Sequence, residues 1–176
     1  QCNIIFTGQT TYSTGYGPNA VVAADVNGDG KPDIIVANSA SNNVGVLLNI
    51  GNGTFAAQTT YLTGADPYEL TAADFNIGNG TLASQTAYST DNGPISVVAA
   101  DVNGDGKPDI IVVNYLSGNV GVLLNIGNGT FTAQTTYLTG AGPFEAATAD
   151  VNGDNKPDII VTNAGSNNVG VLLAYC

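Results

Sequence analysis

Histidine and arginine are absent from this chain, and only three lysines, Lys31, Lys107 and Lys156, stand against 14 acidic residues. Without histidine the commonest general base near neutral pH is missing, and no serine sits in a nucleophile-elbow pattern. The glycine-rich stretches lack the Lys-Ser/Thr ending of a phosphate loop. These gaps argue against an enzyme. Nucleic acids and anionic membranes are bound through Lys and Arg that neutralise phosphates, so a formal net charge of −11 leaves no nucleic-acid partner. No apolar run approaches the ~20 residues a spanning helix needs, so no membrane insertion is expected, and no stretch has a convincing helical period. Cysteine is scarce too: Cys2 and Cys176 lie one near each end. In a Thr-, Asn- and Gly-rich chain the pair reads as a disulfide formed in an oxidising, secreted or cell-surface setting. Gln1 opens the sequence in place of Met, as expected of a processed mature form.

What the chain does have is repetition. The tetrapeptide QTTY at 9–12 recurs at 58–61 and 134–137, and as QTAY at 85–88. The acidic loops starting at Asp101 and Asp150 are 49 residues apart, as are Asp25 and Asp74. A period near 50 is that of a small supersecondary unit stacked in an array. One copy is short: Asp74-Phe75-Asn76 runs directly into Ile77-Gly78-Asn79-Gly80, so Asp74 precedes Asp101 by 27 residues. The units are 15–62, a truncated 63–90, 91–138, and 139–176 completed by 1–14, together one repeat domain.

Each full unit reads as four short strands, in the first copy 20–24, 33–37, 44–49 and 55–62. Val, Ile, Thr and Tyr dominate them, and the breaks are rich in Gly, Asn and Asp. The consecutive apolar run Ile34-Ile35-Val36 fits a strand covered on both faces. The fold class is all-β: a β-propeller-like array of four-stranded antiparallel blades, roughly three and a half in number. Aligning the repeats puts Cys2 and Cys176 on the same point, the turn between a blade's third and fourth strands. The N-terminal strand, 4–14, is therefore expected to complete the last blade, with a Cys2–Cys176 bridge in place of the turn. Two arrangements satisfy this, ring closure within one chain or head-to-tail joining of copies into a filament.

Nine of the acids fall in three copies of one loop. The oxygen-bearing side chains stand at its first, third, fifth and ninth positions: Asp25, Asn27, Asp29 and Asp33; Asp101, Asn103, Asp105 and Asp109; Asp150, Asn152, Asp154 and Asp158. Calcium takes about 6–8 hard oxygen ligands, and such a loop supplies four, with a main-chain carbonyl at Lys31, Lys107 or Lys156 as a fifth and water beyond. Three carboxylates within nine residues repel one another unless a cation offsets them. The plainer reading is an Asx-rich turn. Gly30, Gly106 and Asn155 stand where a sharp turn requires positive φ. Asp74 and Asn76 retain only two of the ligands, so three Ca²⁺ sites are expected and none in the short copy.

The DVNGDGKPDIIV stretches, the NVGVLL strands and the GNGTF turns resemble the FG-GAP/VCBS repeat family, over nearly the whole chain. The resemblance implies a β-propeller with structural calcium in blade hairpin loops, in secreted or surface proteins. The low repeat number and the short copy depart from the family's larger propellers. Asn52, Asn79 and Asn128 each begin an Asn-Gly-Thr acceptor for N-glycosylation, which is also a favoured hairpin turn. The function expected is a non-catalytic, calcium-binding, structural or adhesive extracellular glycoprotein, self-assembling or bound to an extracellular protein or glycan partner. The alternative is a lectin-like propeller reading glycans through Tyr61, Tyr88 and Tyr137, for which sheet packing is the plainer role.

Overall fold

The computed structural model describes residues 9–65, 67–71 and 85–175. Those residues form antiparallel sheets and one short 3-10 turn, Ser39–Ser41. The first blade pairs β1 (Pro18–Ala24), β2 (Asp33–Asn38), β3 (Asn43–Leu47) and β6 (Thr59–Leu62) in the order β1-β2-β3-β6. Between β3 and β6 projects a small hairpin, β4 (Asn49–Gly51) with β5 (Thr54–Phe55). The second complete blade repeats this with β7 (Pro94–Ala100), β8 (Asp109–Asn114), β9 (Asn119–Leu123) and β12 (Thr135–Leu138), and the hairpin β10 (Asn125–Gly127) with β11 (Thr130–Phe131). The last sheet holds three strands, β13 (Pro143–Ala149), β14 (Asp158–Asn163) and β15 (Asn168–Leu172).

The all-β, propeller-like repeat expected from the sequence is the architecture observed, with two refinements. The third strand does not run on to residue 49, and the fourth is not continuous from 55 to 62. The Asn49 N–H is taken by Asp33, its Oδ1 accepts from Gly51 N–H, and Gly51 turns with φ of 98°. The chain thereby leaves the main ladder, and β4 and β5 pair only with each other. The expected strand 4–14 lies partly outside the described residues; its described part, 9–14, carries no strand and does not pair with β15. Tyr12 instead meets the first blade's outer hairpin: its ring stands edge-on to Phe55 at 5.5 Å, and its hydroxyl accepts from Phe55 N–H at 3.3 Å.

The middle strands are buried because both their faces are covered. Ile111, Val113, Val120 and Val122 join Ala146, Ile159 and Val161 in one cluster spanning the second complete blade and the last. Ile35, Val44 and Val46 form the first blade's cluster, on which Val22, Tyr61 and Leu70 pack. Leu70 belongs to the truncated copy, and the neighbouring Glu69 accepts from Val97 N–H of β7 through Oε2 at 2.9 Å. None of the short copy's described residues forms a strand; residues 67–71 act as a strap between the first blade's core and β7.

Candidate metal centre

The three acidic loops each join the first and second strands of a blade, so all occupy the same place in the repeat. Their first carboxylate organises the turn. Asp25 Oδ1 accepts from the N–H of Gly28 at 2.8 Å and of Asp29 at 3.2 Å, while Oδ2 accepts from Gly30 N–H at 2.7 Å. Asp101 binds Gly104, Asp105 and Gly106 in the same way, and Asp150 binds Gly153, Asp154 and Asn155. The curl needs positive φ at the sixth position: 78° at Gly30, 80° at Gly106 and 64° at Asn155. Asn tolerates that region better than most residues, which explains its substitution there. The Gly30 N–H, followed by those of Gly28, Asp29 and Asn27, holds the Asp25 carboxyl below its ordinary value against a partial opposing effect of desolvation. The Asn155 N–H does the same for Asp150.

The third and fifth positions support the curl. Asn27 Oδ1 accepts from Asp29 N–H at 3.0 Å. Asp29 accepts from both the backbone N–H and the ammonium of Lys31, each at 2.9 Å, and Asp105 does so from Lys107 at 2.9 and 3.0 Å. The lysine side chain is the main reason that Asp29 and Asp105 titrate below the ordinary carboxylate range.

The ninth position differs from the rest. Asp33, Asp109 and Asp158 are each wholly buried, at 0% exposure. Each spans two backbone amides: Asp33 takes Val26 N–H and Asn49 N–H, Asp109 takes Val102 and Asn125, and Asp158 takes Val151 and Ala174, all at 2.7–3.0 Å. These carboxylates rivet the loop to the chain leaving the third strand. Burial pushes the Asp109 carboxyl above its ordinary value, and the charges of Asp105 and Asp101 add to that.

Every sequence-predicted loop residue is thus brought into one compact turn. Among the described residues, however, no three acidic side chains are grouped so as to hold a metal ion. The carboxylates lie on the loop's own amides and lysine, which is the hydrogen bonding of an Asx-capped turn. By donor chemistry the set suits a hard divalent cation: every side-chain donor is oxygen. Each carboxylate oxygen also has two acceptor positions, of which the Asp33 oxygens use one apiece.

Of the other expected sites, Asn52 and Asn128 are exposed in their hairpin turns with φ of 54°. Asn79, Cys2 and Cys176 lie outside the described residues. Tyr61 packs on the first core, and Tyr88 stands edge-on to Phe131 with its hydroxyl accepting from Phe131 N–H. Tyr137 is 47% exposed.

A second set of polar residues, at the opposite end of the blades, escaped the sequence reading. Asn38, Asn114 and Asn163, the last residues of β2, β8 and β14, are at most 2% exposed. Each donates Nδ2 to the asparagine opening the next strand, Asn43, Asn119 and Asn168, at 2.8–2.9 Å. Their signal in the sequence is recurrence at the end of every DIIV strand.

A family model for the FG-GAP-like repeat matches residues 3–36, 25–77, 76–112 and 101–161. Among solved structures, the V. cholerae biofilm matrix protein Bap1 superposes with a TM-score of 0.53 at 23% identity, over 88% of this chain and 26% of that one. The Photorhabdus luminescens Tc holotoxin pore gives a TM-score of 0.43 at 20% identity, over 86% of this chain and 6% of that one. The chain therefore spans about a quarter or less of these structures' own length, and the likeness to Bap1 is one of fold. Curated proteins give no match.

Proposed function

We propose that this chain, which belongs to the FG-GAP-like repeat family, is a non-catalytic, extracellular, calcium-binding structural or adhesive protein whose copies join head to tail by strand exchange. The observation that carries the reading is the contrast between the last described blade and the complete one before it. On β15, Val169 and Val171 are 60% and 50% exposed, whereas their equivalents on β9, Val120 and Val122, are 0% and 6% exposed beneath a fourth strand. The segment with a fourth-strand sequence, 9–14, meanwhile sits on the first blade through Tyr12 and Phe55. Tyr88 holds Phe131 in the same way at the same separation of 43 residues, so the contact is a recurrent link between a unit's end and the next blade. In this reading the N-terminal segment of one copy becomes the last strand of its neighbour. Cys2 and Cys176 of adjoining copies then bridge the joint.

Calcium in this reading is held by Asp25, Asn27, Asp29, Asp33 and the Lys31 carbonyl, and by the matching residues of the loops at 101–109 and 150–158. Its chemistry is charge compensation, which lets the acidic turns close firmly. The loop residues orient the donors through the amide bonds already described. Asn52, Asn79 and Asn128 are the proposed glycan attachment points. Among the described residues no helix is long and apolar enough to cross a membrane. The glycan-binding alternative is less favoured, because Tyr61 and Tyr88 are used in packing.

Negative-stain microscopy of the purified chain, in millimolar calcium and in excess chelator, each with and without reductant, tests the whole reading. Calcium-dependent filaments are expected. Discrete monomers under every condition would refute self-assembly. Filaments and a melting temperature both indifferent to chelator would refute the calcium sites, since a ligand bound only by the folded state must raise its stability.

A further inference from the structure

The open edge of the last blade carries more than bare strand. At the β14–β15 turn end of that edge lies an open groove of about 280 Å³, lined by Thr162, Asn163, Ala164, Asn167, Asn168 and Val169. The Asn163 Oδ1 is buried without a hydrogen-bond partner, as are its equivalents Asn38 Oδ1 and Asn114 Oδ1 in the complete blades, so the open blade differs from them only in lacking the strand alongside.

The two complete blades show what belongs there. In each, the glutamine just before the fourth strand folds across the glycine of the third strand: a methyl group added at Gly45 would land on the Gln58 side chain, and one added at Gly121 on Gln134. The glutamine lies beside the buried asparagine, and Asn114 Nδ2 donates to Gln134 Oε1 at 3.3 Å. In the first blade Asn38 Oδ1 and Gln58 Nε2, an acceptor and a donor, are both buried and unpaired. At Gly170 in the last blade, by contrast, an added methyl would meet only Asn163 Nδ2, at 3.1 Å.

We infer that the last blade selects its fourth strand by a glutamine: Gln9 of a second copy lies across Gly170 and pairs its amide with Asn163, fixing the register of the joint. The inference rests on the strand-exchange reading and adds what sets its specificity. The register follows from β3 with β6, where Val46, Gly45 and Val44 face Thr59, Thr60 and Tyr61. Transferred to β15, Val171, Gly170 and Val169 face Thr10, Thr11 and Tyr12 of the incoming strand. A second copy is the source because the chain's own Tyr12 is held at Phe55 and no residue of 9–14 lines the groove. A one-residue slip would turn every side chain to the wrong face, so one seated amide suffices to define the joint.

Two substitutions in the full chain separate the parts. Gly170→Ala blocks the acceptor and requires the Asn163 amide, 3.1 Å from the added methyl, to give slightly, and Gln9→Ala disables the donor at an exposed residue. Analytical ultracentrifugation, in oxidising and reducing buffer, is expected to show wild-type oligomers and at least a roughly tenfold weaker association of either variant alone, about 1.4 kcal/mol. Mixed together, the Gly170→Ala donor and the Gln9→Ala acceptor should form dimers that grow no further. A wild type that stays monomeric would sink strand exchange itself. Wild-type and variant chains that assemble alike would leave strand exchange standing and overturn the glutamine lock. Thermal melts of the monomers guard against misfolding: should Gly170→Ala lose its transition, Gln9→Ala decides alone.

Discussion

Replacing Asp33 with asparagine distinguishes a buried rivet from a mere cation ligand. The side chain is wholly buried, and its two oxygens accept from Val26 N–H at 3.0 Å and Asn49 N–H at 2.7 Å. Asparagine keeps one acceptor and turns an NH₂ donor towards the other amide, so one bond is lost and a buried N–H is left facing a donor. Hydrogen bonds to charged groups contribute about 1.5–3 kcal/mol, and an orphaned buried partner costs about 1–3 kcal/mol. The two overlap, so Asp33→Asn should destabilise by about 2–4 kcal/mol in the metal-free protein. For a domain of this size that lowers the melting temperature by roughly 4–16 °C. The assay is a thermal melt followed by circular dichroism in excess chelator, beside Asp29→Asn. Asp29 bonds only within its own loop and with Lys31, so its replacement should barely move the metal-free melt. In calcium both variants should lose part of the stabilisation the ion confers on the wild type. Equal, small shifts of the two variants in chelator would refute the rivet.

Three further outcomes follow from the same geometry. Tyr88→Phe removes the hydroxyl that accepts from Phe131 N–H at 3.1 Å but keeps the ring pair, so a loss of about 0.5–1.5 kcal/mol is expected by urea titration; no loss would discount the hydroxyl's part in the link. Gly121→Ala drives a methyl group into Gln134 and should cost about 1–3 kcal/mol by overpacking, whereas an unchanged urea midpoint would show that the glutamine is not seated there. In chelator, Asp25, Asp29, Asp105 and Asp150 titrate below 3.8 when folded, so the stability they lend is present above that pH and lost as pH falls through their folded values. Asp109 has the opposite sign: its share is full below 3.8 and lost as pH rises through its raised value. Melts from pH 2 to 7 should therefore rise and then dip slightly, and Asp109→Asn should remove the dip; a dip that persists would assign it to another group.

Much of this was legible from the residues because the architecture is repetitive and its turns are chemically marked. The period located the blades, and Gly30, Gly106 and Asn155 signalled the positive φ that they adopt. Less visible was anything depending on contacts between distant positions. Asp33 reads as one more ligand in its loop, yet its second oxygen serves Asn49, 16 residues away. Asn38 reads as a turn former, since Asn is common in turns, yet it is wholly buried. The break between β5 and β6 falls at Ala56-Ala57-Gln58, poor strand formers between Phe55 and Thr59, while the hairpin geometry around Asn49 and Gly51 takes β4 and β5 off the main ladder.

The buried Asp and Asn together explain how near-identical repeats avoid pairing with one another's strands. Between them, β2 is the apolar run Ile34-Ile35-Val36-Ala37, which by hydrophobicity alone would tolerate a slip or an exchange for β8 or β14. Asp33 at one end and Asn38 at the other set the register, because a slip of one residue would strand a charge and an amide in the core. Their partners lie close in sequence: Val26 is seven residues from Asp33, and Asn43 five from Asn38. Closing so short a loop costs less entropy than reaching the same residues one period away. Each blade's inner three strands therefore assemble on their own marks. The fourth-strand position lies outside that local circuit: among the described residues neither β6 nor β12 carries a buried Asp or Asn of its own.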